Sequence, residues 1–154
     1  MDYSRRRFAM LAASLGALES CKREEAAPKA AKNTKKLEHL ASRAYQFEDL
    51  PVKLNQKTQS TSRAILEGLT HRDYAVEVHE TELPPGASPH PPHHHVHEEM
   101  FLVRSGLLDA TVNGATTRID AGSVFYVNSN EEHGVVNPGP ERASYFVIAL
   151  GRES

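Results

Sequence analysis

The sequence predicts an all-β domain over residues 45–154, an antiparallel sandwich or barrel of many short strands. Three observations predict it. Turn signals recur at short intervals: Pro84-Pro85-Gly86, Ser105-Gly106, Asn113-Gly114, Ala121-Gly122 and Asn137-Pro138-Gly139-Pro140. The stretches between them are short, alternating and rich in β-branched and aromatic residues. From about Tyr45 onward no stretch carries the periodicity of a long amphipathic helix. The 154 residues, with nine Gly, nine Pro and no Trp, suit one turn-rich domain.

Element by element, Ser62–Leu69 and Tyr74–Leu83 are β-rich. In the second, Ala75, Glu77 and His79 share one face, and Val76, Val78 and Glu80 the other. Glu99–Arg104 is a strong strand ended by Ser105-Gly106. Leu108–Val112 and Thr116–Ile119 flank Asn113-Gly114, the strongest two-residue hairpin signal. Ser123–Val127, Val135–Val136 and Ala143–Leu150 complete the set. Phe101 and Val103 have the parity of Glu99, which predicts an apolar inner wall below a polar mouth.

Ahead of this domain the composition changes twice. Ser4-Arg5-Arg6-Arg7-Phe8 precedes a modest apolar stretch, Phe8 to Leu18, the layout of an export signal over residues 1–21. The string resembles the twin-arginine signal, which implies an exported protein, periplasmic or membrane-anchored facing the periplasm. Leu18-Glu19-Ser20-Cys21 resembles a lipoprotein cleavage box, with Glu19 a departure from it. Two outcomes stay open there: Cys21 becomes a lipidated N-terminus, or ordinary cleavage leaves it lost or free. Cys21 is the only cysteine, so no intramolecular disulfide forms. Residues 22–44 read as a flexible charged linker, with a transient helical tendency towards Leu37–Ala44.

Charge is uneven along the chain. Residues 22–44 carry seven Lys/Arg against three Asp/Glu, a net +4; residues 45–154 carry eight against fifteen, a net −7. A domain of that sign repels phosphate backbones, which argues against nucleic acid as a partner. No apolar run is long enough for a conventional transmembrane helix, so contact with a membrane is expected only through a lipid anchor.

The chemistry concentrates in His93-His94-His95-Val96-His97-Glu98-Glu99, with His133 arriving 34 residues after Glu99. His93, His95 and Glu99 face the same way if the stretch is extended, and Pro89, Pro91 and Pro92 upstream disfavour helix. Three imidazoles and a carboxylate can bind one divalent ion and leave coordination positions open. His97 shares their parity and can reach the pocket mouth or replace a ligand; His94 and Glu98 have the opposite parity. The competing reading is a surface histidine tract with casual metal affinity.

At these residues the chain resembles the cupin superfamily. His93-x-His95-x-x-x-Glu99, with Gly106 after six further residues, is similar to its first motif. Gly122, then His133, then Asn137 after three residues, is similar to its second. Gly86 lies one residue further from His93 than is usual, and Asn128 and Asn130 stand where Pro and Gly are commoner. Asn130 can supply a left-handed turn residue. The resemblance covers roughly Ala64 to Gly151 and implies a single antiparallel barrel, a double-stranded β-helix of jelly-roll type. It implies metal ligation by His93, His95, Glu99 and His133. Donor chemistry allows Mn, Fe, Zn, Ni or Cu. Twin-arginine cargo folds before export, so metal would load in the cytoplasm, and Mn or Fe is favoured.

Two functions compete at this stage. One is an enzyme acting on a small oxygen-bearing molecule, a dioxygenase or a Lewis-acid isomerase. The other is a non-catalytic exported module that binds or senses a metal or small ligand. Phe101, Tyr126, Tyr145 and Phe146 are candidate pocket residues, and Arg104 or Arg118 a candidate anion holder; aromatic residues on strands are more often core, and single arginines more often solvated. A homodimer through an edge strand before Leu83 is a further expectation.

Overall fold

A computed structural model of the chain describes residues 36–152. The expected signal, with Arg5, Arg6, Phe8 and Cys21, lies outside the described residues. Nine strands account for nearly all regular structure: β1 (Val52–Leu54), β2 (Thr61–Leu69), β3 (Ala75–Leu83), β4 (Glu98–Ser105), β5 (Leu107–Val112), β6 (Ala115–Asp120), β7 (Val124–Val127), β8 (His133–Val136) and β9 (Ala143–Leu150). The one helical element among the described residues is a 3-10 turn at Phe47–Asp49. Among the described residues no helix is long and apolar enough to cross a membrane.

The strands form two antiparallel sheets. One has six strands in the order β1-β2-β3-β9-β4-β7, the other three in the order β6-β5-β8. Their facing sides enclose the core of Leu83, Phe101, Val103, Leu108, Ala110, Val127, Val135, Tyr145 and Val147. The alternation expected in β4 holds: Glu99, Phe101 and Val103 are buried, while Leu102 and Arg104 are exposed. The architecture is the cupin-type jelly roll.

Turn chemistry sets the corners. Asn113 and Gly114 both have positive φ, 47° and 81°, the signature of the expected two-residue hairpin. Asn130 has φ 62°, so it does supply the left-handed turn before His133. Asn137 is buried; its amide donates to Leu83 O at 3.0 Å and Glu141 O at 2.7 Å, and its Oδ1 accepts from Gly139 N at 2.9 Å. It closes the turn between β8 and β9 and ties it to the end of β3.

Gly106 makes the β4–β5 corner at φ +77°, and a Cβ there would lie 2.7 Å from Ala143 Cα. Gly106→Ala should therefore lose about 2–5 kcal/mol, from left-handed strain and overpacking together. A urea midpoint within error of the wild type would contradict that reading.

Two expectations are corrected here. The stretch towards Leu37–Ala44 is not helical. Leu40 N donates to Leu69 O and Leu69 N to Glu38 O, both at 2.8 Å, so the chain lies extended along the end of β2. Close approach is allowed because Gly68 has no side chain; a Cβ there would meet Glu38 O at 2.7 Å. Residues 93–97 are also not a regular strand. They form one bridge, His93 with His133, and β4 starts only at Glu98.

Candidate metal centre

Backbone pairing first brings the two motifs together. His93 N donates to His133 O at 3.0 Å, and His133 N donates back to His93 O at 2.8 Å. Asn130 N donates to His95 O at 2.7 Å. The Pro-rich approach to His93 is thereby fastened to the edge of the small sheet, while Glu99 stands on the inner face of the large one. A side chain from late in the chain thus meets donors from an earlier segment.

The side chains converge as the spacing suggested. Candidate ligand atoms of His93, His95 and His133 lie within 4.8 Å of one another, and so do those of His95, His97 and Glu99. Glu99 joins the two groups: its Oε2 is 3.2 Å from His133 Nε2, and its Oε1 is 3.4 Å from His95 Nε2. Metal–ligand bonds of about 2.1 Å put donor atoms roughly 3–4 Å apart, so the set needs only a slight inward shift to hold an ion.

The outer hydrogen bonds explain why these atoms are available. His95 Nδ1 donates to His97 O at 2.8 Å, and His133 Nδ1 donates to Glu131 O at 2.9 Å. A neutral imidazole with its proton on Nδ1 has a bare lone pair on Nε2. Both lone pairs then face one carboxylate, an arrangement that calls for a cation or a proton between them. His95 Nε2 is buried without a hydrogen-bond donor or acceptor, as is His93 Nδ1. Orphaned buried nitrogens around a carboxylate fit a divalent ion held by neutral donors.

Burial and the neighbouring imidazoles of His90, His133 and His95 push His93 from 6.5 down to about 4. It therefore stays neutral, as a ligand must. In the metal-free protein the unfolded chain takes up this proton at higher pH than the folded one. Stability should then fall as pH drops from about 6.5 to about 4. A His93→Asn variant should show a shallower loss across that window in thermal melts; an unchanged slope refutes the assignment.

His97 lands closer than parity alone required. Its ring stacks on that of His95, centroids 3.6 Å apart and planes 9° from parallel, and its Nε2 lies 3.2 Å from Glu99 Oε1. It can donate to the carboxylate and steer it.

Beside the centre opens a cavity of about 440 Å³. Glu99, His133 and Phe101 form part of its wall, as expected for Phe101. Another part of the wall was not foreseen. It comes from the β1–β2 segment (Lys53, Asn55, Ser60, Thr61) and from His79 and Thr81 of β3. Lys53 pairs with Ser62, Ser62 with Thr81 and Thr81 with Tyr145, one row across four strands. The signal for His79 was present, since it shares parity with Ala75 and Leu83, both of which point inward.

Other candidates are corrected. Tyr126 is not in the pocket: it pairs with Met100, on the face opposite Glu99, and is 46% exposed. Phe146 has the parity opposite to Tyr145 and pairs with Glu80 on the outer face, whereas Tyr145 is buried and lines the cavity. Neither arginine reaches an anion site in the cavity. Arg118 makes a two-pronged pair with Asp109, and Arg104 stacks over the Phe47 ring at 4.4 Å. Pairing register across strands, invisible from one strand alone, decides each case.

With this geometry in hand, the comparisons are consistent. Residues 79–149 match the family model described as Cupin domain. No curated protein matches the chain. Solved structures of the same fold include an RmlC-like cupin from Shewanella frigidimarina, at 20% identity and TM-score 0.59, covering 72% of this chain and 93% of that one. A predicted oxalate decarboxylase from Thermotoga maritima aligns at 17% identity and TM-score 0.61, over 71% of this chain and 100% of that one. The polyketide cyclase RemF from Streptomyces resistomycificus aligns at 21% identity and TM-score 0.58, over 74% and 82% respectively. The domain model matches residues 79–149, and these structures share the fold of this chain.

Proposed function

We propose that the chain is a metal-dependent cupin enzyme. It holds one divalent ion with His93, His95, Glu99 and His133 and acts on a small oxygen-bearing molecule in the adjoining cavity. One observation carries the proposal: the Nε2 atoms of His95 and His133, each ring anchored through Nδ1 to a backbone carbonyl, face the same carboxylate at the cavity wall. Three neutral imidazoles and one carboxylate leave a divalent ion with net charge +1, which supplies Lewis acidity towards a substrate oxygen. The protein's own contribution is to keep the His93 imidazole neutral, to orient Glu99 through His97, and to line the adjoining cavity with polar side chains. That related folds include a decarboxylase and a cyclase supports small-molecule chemistry here.

The test is elemental analysis of protein purified without affinity resin, followed by turnover on a panel of diols, keto acids and sugars. One equivalent of metal, with metal-dependent turnover that vanishes in His95→Ala, is expected. Coupled oxygen uptake would assign a dioxygenase; its absence, with turnover retained, would assign Lewis-acid chemistry. Ligand-induced thermal stabilisation without turnover would make the protein a binding module instead.

Export belongs to the same proposal. Arg5, Arg6 and Phe8 support a twin-arginine signal, and Cys21 supports a lipid anchor facing the periplasm. Folding before export supports Mn or Fe as the native ion, since an empty site outside the cytoplasm would take copper or zinc. Intact mass of the membrane fraction reads the anchor directly; an unmodified soluble form refutes lipidation, and full occupancy by copper or zinc refutes the metal choice. A homodimer through the β1 edge is compatible with the exposed Val52 and Leu54 and is tested by sedimentation.

A further inference from the structure

His79 is a titratable ring on the cavity wall that plays no part in the metal centre. Its Nδ1 lies 2.9 Å from Glu77 Oε1, and the acceptor-only carboxylate makes Nδ1 the protonated nitrogen. A neutral His79 therefore has its lone pair on Nε2, oriented by a carboxylate: the arrangement of a general base with its positioning group. Glu77, His79 and Thr81 alternate along the inner face of β3 towards the buried Leu83.

The sheet register places this pair relative to the ion-binding carboxylate. Glu77 pairs with Ala149, and Ala149 pairs with Glu99. His79 pairs with Val147, and Val147 with Phe101. His79 and Glu99 are thus two strand spacings and two residues apart, about 12 Å between Cα atoms, with valine intervening in the His79 row and alanine in the Glu99 row. The short side chain leaves room for a molecule of a few carbons, with one oxygen towards Glu99 and His133 and its carbon chain against His79. Tyr145, on the same inner face, does not compete as a base: burial pushes its hydroxyl well above the usual phenol range.

We infer that His79, positioned by Glu77, is the proton-transfer group for a small α-hydroxy-carbonyl or 2-oxo acid ligand. The inference rests on the proposed function and deepens it. His79 Nε2 takes the proton from the carbon beside the carbonyl. The C–H electron pair becomes the enolate π bond, and the carbonyl pair moves to oxygen. Return of the proton to the same carbon regenerates the carbonyl compound; in a hydroxy-carbonyl, return to the neighbouring carbon, with the hydroxyl proton passing to the first oxygen, gives the isomer, and neither route consumes an oxidant or reductant.

Two measurements on the full chain test this. The first is α-hydrogen exchange in D₂O, by proton NMR, on hydroxyketones and 2-oxo acids of three to six carbons, with Zn(II)-loaded protein. The expected result is exchange by the wild type that falls about 10²–10⁴-fold in His79→Gln while metal content stays at the wild-type level. Glu77→Gln should lose less. Exchange that persists in His79→Gln, or no exchange by wild type on any member of the panel, overturns the inference. The second is the ¹⁵N ring spectrum of His79 in metal-free protein at about pH 8. A bare Nε2 is expected, with the tautomer preference lost in Glu77→Gln; a protonated Nε2 in the wild type overturns the inference. Failure of the metal proposal reads differently, as loss of stoichiometric metal from the wild type itself.

Discussion

His133→Ala should abolish stoichiometric metal binding while leaving the β-sheet signature of the protein in place. His133 is 1% exposed, and its Nε2 meets Glu99 Oε2 at 3.2 Å. It is the one donor contributed from beyond residue 99, so without it the site is an open cluster on a Pro-rich approach. Losing an outer-shell partner typically weakens metal affinity about 10–100-fold, and loss of a direct donor should exceed that. His97→Ala, which removes only a steering contact to Glu99 Oε1, is expected to fall inside that smaller range. Glu99→Gln keeps shape and removes the single negative charge; affinity should drop with the fold intact. Competition titration with a chromophoric chelator ranks the three. Wild-type affinity in either His133→Ala or Glu99→Gln would show that the ion sits elsewhere.

Arg63→Ala should be among the most destabilising substitutions in the domain, although it lies on the face away from the cavity. Glu80 is 0% exposed, with Oε2 3.5 Å from Arg63 Nη1 and Oε1 accepting from Ser144 Oγ at 2.7 Å. The Phe47 ring stacks on Arg63, its centroid 4.5 Å from the guanidinium carbon. Removing Arg63 leaves a buried carboxylate with a single hydroxyl for company, a loss of about 3–5 kcal/mol. For a domain of this size that corresponds to a melting temperature lower by more than about 10 °C. Replacing both members, Arg63→Met with Glu80→Leu, should restore most of it, because no charge is then stranded. A melt of Arg63→Ala within a degree or so of wild type would mean that Glu80 reaches water or another cation. The metal titration of this variant should match wild type, which separates the two faces of the sheet.

The legible part of the protein was the part written in local spacing. Asn113-Gly114 demanded positive φ at both residues and obtained it. Glu99, Phe101 and Val103 alternate inward as their period of two requires. The candidate donor cluster was legible because its residue types have few other reasons to group, and the approach of His133 to His93 and His95 follows from the bridge at His93. Tyr126 failed because its face depends on pairing with Met100, a register set by β4 and β7 together. Glu80 looked like an outward polar residue in an alternating strand, yet it is buried. Its partner Arg63 in turn packs on Phe47, a residue 33 positions before Glu80 and outside any strand.

Composition and spacing alone determined the all-β class, the corners and the gathering of donor-type side chains. Those properties depend on backbone preferences and side-chain types within a few residues of one another. Only the tertiary structure decided what shares the cavity with Glu99 and His133, namely Lys53, Thr61 and His79, and what packs on Arg63, namely Phe47. The physical reason is register. Irregularities at Ala64/Leu66 and Val103/Ser105 shift pairing by a residue, and a one-residue shift exchanges inner for outer face along a whole strand. No single strand carries that information, because it belongs to the sheet.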